Sequence, residues 1–246
     1  MTSTTPTPSG PLTVLLVHGA FADASGWNGV CERLLARGVK VMAPANPLRG
    51  IAFDSAYIAN VLAQIPGPVL AVGHSYGGAV ITNAATNADN VVGLVYVAAF
   101  APQEGEVLGE AVGDSKDSVL NSALVQLTFP TGANGATATE FAINPEKFHD
   151  AFAKDLPLQQ TAVMAATQRP VAEAAFSEPN GVPAWKNVPA WTVVATGDTA
   201  AGADVIRSMA ERAGSKITEV QGSHVIMMSQ PQAVTDVILT AIAAVS

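Results

Sequence analysis

The sequence predicts an α/β fold, a mostly parallel sheet flanked by helices and broken once by a helical insertion. Three observations carry this. Short β-branched runs alternate with helical stretches along most of the 246 residues, the rhythm of strand–helix–strand units. The run LTVLLV at residues 12–17 is continuously apolar, as a strand covered on both faces should be. Between about residue 102 and residue 188 the rhythm stops and helical pieces replace it.

Taken in order, the strand at 12–17 is followed by a loop in which Asp23 or Ser25 can cap a helix running to about Arg37, closed by Gly38. VKVMA (39–43) is the next strand, stopped by Pro44, and Asp54 is placed to cap the helix SAYIANVLAQI. That helix ends before Pro66-Gly67-Pro68, a strong breaker. VLAVG (69–73) is a strand, a helix runs from after Ser75 to about Ala88, and VVGLVYVAA (91–99) is another strand. The insertion carries SVLNSALVQL, NPEKFHDAFAKDL and LQQTAVMAATQ as helical pieces, shows no convincing β-branched strand, and ends in the Pro/Gly-rich SEPNGVPAWKNVP. WTVVAT (191–196), a helix near 203–213, KITEV (216–220) and a helix from about Pro231 to Val245 restore the alternation. The expected organisation is an N-terminal tail over 1–10, a core over 11–101 and 189–246, and a cap over 102–188. Such a cap would sit above the carboxyl ends of the strands, where open α/β sheets bind ligands.

Composition bounds the partners. A formal net charge of −8 with no basic stripe argues against nucleic acid. The single cysteine, Cys31, excludes an internal disulfide framework and fits a reducing compartment. The start, MTSTTPTPSG, lacks the basic and apolar regions of a signal peptide, and no apolar run approaches the roughly 18 residues of a membrane span. The expectation is a soluble, cytoplasmic, acidic protein, with a homodimer as one option for its assembly.

The chemistry concentrates in AVGHSYGGAV, residues 71–80, where GHSYG matches G-x-S-x-G. The pattern alone is weak. An apolar strand directly before it and a helix directly after it supply the setting of a nucleophile elbow. A serine held at positive φ on so sharp a turn brings neighbouring backbones close, so small residues are needed two positions to either side. Gly73 and Gly77 occupy those positions.

A serine hydroxyl needs a base, and the chain has four histidines. His74 adjoins Ser75, so its side chain should point away from the hydroxyl. His18, in VHGAF, fits a role in shaping its loop, and His149 lies among Lys and Asp in the insertion. His224, in VQGSHVIMMSQP beyond the last strand, is the candidate base. For the carboxylate that orients it, WTVVATGD places Asp198 just after a strand, whereas Asp204 sits where a helix starts and suits a helix N-terminal charge. The chain order Ser75, Asp198, His224 agrees with that expected for an elbow of this type. The N–H of Tyr76, at a helix start, and the N–H of Ala20, in HGAF after the first strand, are candidate oxyanion donors, with Gly19 allowing close approach.

VLLVHGAF, GHSYGG, VATGD and GSHVIMMSQP together resemble the α/β-hydrolase superfamily over nearly the whole chain. Within it they resemble the small group that includes plant methyl-ester esterases and hydroxynitrile lyases. The resemblance implies a sheet of about six parallel strands, a helical cap over 102–188, and a serine mechanism without cofactor or metal. It carries over Ser75, Asp198 and His224 as catalytic residues, with Ala20 and Tyr76 at the oxyanion hole. The lyases of that group resemble one another in a threonine after the first-strand histidine and a lysine after the catalytic histidine. Here those positions are Gly19 and Val225.

The expected activity is therefore hydrolysis of a small-molecule carboxylic ester or lactone through an acyl-enzyme. Phe21 and Met227, beside the site, are expected to form a mainly apolar pocket, although Met227 and Met228 equally suit a plain core. A lyase-like or other non-hydrolytic enzyme, and a ligand receptor with slow turnover, are the alternatives that the fold also hosts.

Overall fold

The computed structural model describes residues 10–132 and 134–246. The expected N-terminal tail, residues 1–10, lies outside the described residues except for Gly10. The chain opens with strand β1 (Thr13–Val17), every residue of which is buried. A short 3-10 turn at Ala24–Trp27 follows, capped by Asp23, whose side chain accepts from the Ser25 N–H. It leads into helix α1 (Asn28–Leu35), which buries Val30 and Leu34 one turn apart. Gly38 takes a positive φ of 72° just beyond, as a left-handed helix stop does.

Next come β2 (Lys40–Met42), α2 (Ile51–Ala63), β3 (Val69–His74), α3 (Tyr76–Ala84) and β4 (Val91–Val97). The start of α2 differs from the sequence expectation. Asp54 is not its cap; the helix begins at Ile51 after Gly50, and Asp54 lies inside its first turn, fully buried. Its carboxylate folds back to accept from the backbone N–H groups of Arg49 and Gly50, so it serves the helix start from within.

The insertion holds helices α4 (Leu108–Gly113) and α5 (Leu120–Ala123), then strands β5 (Leu124–Pro130) and β6 (Thr137–Ile143). Helices α6 (Pro145–Phe152) and α7 (Leu158–Thr167), strand β7 (Val171–Ala172) and helix α8 (Ala174–Ser177) complete it. Helices α6 and α7 fall on pieces expected to be helical, but the insertion also contains a three-stranded antiparallel sheet in the order β5-β6-β7, which corrects the reading that it lacks strands. The piece expected as one helix, SVLNSALVQL, is helical only over Leu120–Ala123 and then turns extended. Pairing with the alternating TATEFAI strand, in register from Leu124↔Ile143 to Pro130↔Thr137, overrides the helix preference of Leu and Gln. The helix α6 behaves as its sequence suggests: Asn144 caps it by accepting from the Glu146 N–H, and Pro145 occupies its first position.

The chain returns through β8 (Ala190–Ala195), α9 (Ala203–Arg212), β9 (Lys216–Val220), α10 (Ile226–Ser229) and α11 (Pro231–Val245). The main sheet has six strands in the order β2-β1-β3-β4-β8-β9, all paired in parallel. Its inner strands β1, β3 and β8 are buried throughout, whereas the edges β2 and β9 are partly exposed, so the apolar runs sit where both faces are covered. Each fully buried Leu, Val or Ile there contributes roughly 1.5–3 kcal/mol of apolar transfer. Among the described residues no helix is long and apolar enough to cross a membrane.

Candidate active site

The site lies at the carboxyl ends of four strands of the parallel sheet. Ser75 follows β3 directly and sits at φ 53°, ψ −126°, a conformation strained for a residue with a side chain. The glycines explain how the turn is possible. A Cβ on Gly73 would lie 2.6 Å from the Gly77 and Gly78 backbone, and one on Gly77 would lie 2.4 Å from the Val17 carbonyl. Only hydrogen fits at either position. The Ser75 carbonyl is held by the N–H groups of Gly78 at 2.9 Å and Phe100 at 3.2 Å.

Of the four histidines, His224 is the one paired with a carboxylate in the buried site. Its Nδ1 lies 2.7 Å from Asp198 Oδ2, and the two side chains are 2% and 1% exposed. An ionised carboxylate only accepts, so in this pair Nδ1 is the donor, and the neutral imidazole so oriented has its lone pair on Nε2. The other Asp198 oxygen accepts from the N–H groups of Ala200 at 2.9 Å and Ala201 at 3.0 Å. The loops bearing the two residues are tied by the Gly197 N–H, which donates to the Gly222 carbonyl at 2.9 Å. From the insertion, Asp155 accepts from the Ser223 N–H at 2.8 Å. Asp204, the rival carboxylate, stands in the first turn of α9 and accepts from Ser115 and Lys116 instead.

The remaining histidines have other work. The His74 side chain turns to the His224 backbone, with Nε2 donating to the His224 carbonyl at 3.0 Å, and its ring centroid is 4.7 Å from that of His224. Burial holds the His74 pKa well below the ordinary imidazole value, so it stays neutral. His18 is also buried, which lowers its pKa to about 4. Its Nε2 accepts from the Asn46 N–H at 2.8 Å, and its Nδ1 donates to the Gly19 carbonyl at 2.9 Å. His149 is partly exposed beside Asp150 in the insertion.

The two candidate oxyanion donors lie on segments that pack together at the Ser75 turn. Tyr76 opens α3, where the first N–H groups have no partner within the helix. The Ala20 N–H makes no backbone hydrogen bond among the described residues. Gly19 brings its strand end against the elbow: a Cβ there would lie 2.6 Å from the Ser75 Cβ.

Phe21 follows at φ 59°, an unusual conformation for a bulky residue. Its ring stacks on Phe176 at 6.4 Å and meets the edge of Phe152 at 6.2 Å. Phe152 in turn lies 5.0 Å from the His224 ring. Sequence reasoning missed both cap phenylalanines; the Phe148 and Phe152 pair one turn apart on α6 was the available signal. Phe21 and Met227 do share a small cavity, of about 40 Å³, with Asp23, Met164, Val225 and Met228. That cavity adjoins the site through Val225 and does not itself reach Ser75, which is 6% exposed.

No curated protein matches the sequence. Among solved structures the chain resembles polyneuridine aldehyde esterase, with a TM-score of 0.79 at 20% identity over 95% of this chain and 100% of that one. It also resembles tomato methylketone synthase I complexed with 2-tridecanone, with a TM-score of 0.77 at 20% identity over 97% of this chain and 100% of that one. A pyrethroid hydrolase from Sphingobium faniae JZ-2 gives a TM-score of 0.76 at 21% identity over 96% of this chain and 98% of that one. At these identities the likeness is one of fold. The sequence itself matches the alpha/beta hydrolase family over residues 14–237, and the chain belongs to that family.

Proposed function

We propose that the protein is a serine carboxylic-ester hydrolase in which Ser75 is the nucleophile, His224 the general base and Asp198 its orienting carboxylate. The observation that carries this reading is the buried His224–Asp198 pair at 2.7 Å, tied by the hydrogen bond from His74 Nε2 to the His224 carbonyl to the strained, glycine-cradled turn that bears Ser75. In the first half-reaction the Ser75 hydroxyl oxygen attacks the ester carbonyl carbon while His224 Nε2 takes its proton. The carbonyl oxygen becomes an oxyanion that meets the N–H groups of Ala20 and Tyr76. The tetrahedral intermediate collapses, the imidazolium returns its proton to the leaving alcohol, and Ser75 keeps the acyl group. Water, deprotonated by His224, then attacks the acyl carbon and releases the carboxylic acid and free Ser75.

The aromatic side chains packed around the site, Phe21, Phe152 and Phe176, favour small to medium, mainly apolar esters or lactones. Cyanohydrin cleavage needs a group to stabilise departing cyanide. The position after His224 is Val225, which is buried and apolar, and Gly19 offers no hydroxyl, so ester hydrolysis is the better fit.

The test is a chain-length series of p-nitrophenyl esters combined with fluorophosphonate labelling. Ser75→Ala should abolish labelling and lower kcat by about 10³-fold or more, leaving only oxyanion-hole and binding contributions. Retention of half the ester turnover in Ser75→Ala would refute the assignment. Ser75-dependent cyanide release from mandelonitrile without ester turnover would make the protein a lyase. Labelling with neither reaction would make it a receptor.

A further inference from the structure

Asp54 is a fully buried carboxylate that the proposed chemistry does not use. Such a group is costly to keep away from water unless a counter-ion or hydrogen bonds compensate it. The nearest candidate counter-ion, Arg49, turns its guanidinium elsewhere: Nη1 pairs with Glu140 at 2.8 Å, and the group lies over the Phe129 ring at 4.3 Å. Asp54 is held instead by neutral donors. Its oxygens accept from the Arg49 N–H at 3.0 and 3.1 Å, from the Gly50 N–H at 3.5 Å, and from the Tyr76 hydroxyl at 2.8 Å. Burial raises its pKa, against the opposing effect of those donors. A helix start alone does not need this, because an exposed Ser or Asp cap does the same with little desolvation.

The partner explains the arrangement. Tyr76 follows the nucleophile, its side chain is wholly buried, and Asp54 is the hydrogen-bond partner of its hydroxyl. The same segment that carries Asp54 also grips the other half of the candidate oxyanion hole. The Asn46 N–H donates to His18 Nε2 at 2.8 Å, and Asn46 Nδ2 donates to the His18 carbonyl at 3.0 Å. His18 in turn holds the Gly19 carbonyl, one residue before Ala20. Residues 46–54 thus reach the Ala20 side through Asn46 and the Tyr76 side through Asp54. Two N–H groups stabilise an oxyanion only when both are placed within hydrogen-bond distance of one point.

We propose that residues 46–54 form a bracket that sets the separation of the two oxyanion donors, with Asp54 acting through the Tyr76 phenol as a positioning residue. The inference rests on the esterase reading above. The bracket is also where the insertion bears on the site. Arg169 donates to the Asn46 carbonyl at 3.0 Å, and the Ala172 N–H donates to the Leu48 carbonyl at 2.9 Å.

The experiment compares wild type with Tyr76→Phe, Asp54→Asn, Asp54→Ala and the Tyr76→Phe/Asp54→Asn double variant. Each preparation is titrated with a fluorophosphonate so that kcat is expressed per reactive Ser75. The measurements are kcat and KM for a p-nitrophenyl ester, the Kd of a trifluoromethyl ketone that forms a tetrahedral adduct, and Tm. Loss of a whole oxyanion donor costs 10²–10³-fold, so misplacement of one should lower kcat by about tenfold. The expected result is that fall in Tyr76→Phe and Asp54→Asn with KM within about threefold, and a parallel weakening of the ketone. Asp54→Ala, which removes the acceptor altogether, should be worse than Asp54→Asn. The double variant should be no worse than the singles, because the two residues act as one unit. Unchanged kcat per titrated site and unchanged ketone affinity in Tyr76→Phe would overturn the bracket, whatever happens to Tm. So would additive losses in the double variant. An absence of both ester turnover and Ser75 labelling in the wild-type protein would overturn the esterase reading as well, a pattern distinct from failure of the bracket alone.

Discussion

His18 makes the fold sensitive to acid in a way that can be measured. Burial lowers its pKa from the model-peptide value of 6.5 to about 4, and its Nε2 lone pair is already committed to the Asn46 N–H. Protonation therefore removes a hydrogen bond and places a charge in a buried site. The unfolded chain has no such restraint and takes up its proton near pH 6.5. Between those two pKa values the unfolded state binds more protons, so stability falls as the pH falls, beginning near 6.5 and levelling off below about 4. The full gap corresponds to roughly 3 kcal/mol, and about 2 kcal/mol of it is already lost at pH 5. The assay is urea denaturation at intervals from pH 8 to pH 5, with His18→Gln alongside wild type. The variant will be less stable at pH 8, since it loses imidazole packing and a hydrogen bond. The diagnostic quantity is the pH dependence: the fall from pH 8 to pH 5 should be about 2 kcal/mol smaller in His18→Gln. His74, also shifted downward chiefly by burial, acts in the same direction in both proteins, so the burial part of its contribution cancels from the comparison. Parallel pH profiles, or an NMR titration of the His18 ring near pH 6.5, would refute the argument.

Two further outcomes follow from the site geometry. Asp198→Asn should lower kcat on p-nitrophenyl esters by about 10³–10⁴-fold, because the amide disturbs the imidazole tautomer fixed at Nδ1. Asp204→Asn, whose side chain accepts from Ser115 and Lys116, should cost little; comparable kinetic losses in the two variants would reverse the assignment. Gly77→Ala places a Cβ 2.4 Å from the Val17 carbonyl, a contact that backbone must move to relieve. It should remove most fluorophosphonate labelling and lower Tm, and a variant labelled at the wild-type rate would show that the turn has more room than this distance implies.

The elbow was legible because its constraint is local. A sharp turn with a side chain at its apex needs small residues at fixed offsets, and Gly73 and Gly77 stand at those offsets. The pairing of Asp198 with His224 was legible because each follows a strand of clear pattern. The insertion sheet was not, because β5 is half-exposed and mixes Leu and Gln with Thr and Phe. Its signal lay in the turn instead. Asn134 and Gly135 take positive φ values of 48° and 75°, and Asn-Gly between two runs is a hairpin signature. Asp54 was misread for a different reason. Ile51, Asp54, Ser55, Ile58 and Leu62 are all buried, so helical spacing puts Asp54 on the inward stripe of a helix that starts earlier than its acidic residue suggests.

What the sequence could not convey is how far apart its motifs lie in space, and the sheet order supplies that. β1 and β3 are neighbours, with Val17 opposite Gly73, so the Ala20 loop and the Ser75 turn leave the sheet side by side. β8 and β9 are neighbours, with Ala195 opposite Val220, so the Asp198 and His224 loops do likewise. Strand β4 stands between the two pairs, and the site works only if they meet across it. The chain past the end of β4 makes that possible: Ala98 turns at φ 44°, and the Phe100 N–H reaches the Ser75 carbonyl. Gly78 lies under this turn, where a Cβ would stand 2.6 Å from the Phe100 carbonyl. The missing side chain of the third glycine of the motif therefore answers to the end of β4, while its N–H holds the Ser75 carbonyl. Its role is to let the Ser75 side of the candidate site close onto the strand beyond which the Asp198 and His224 loops are mounted.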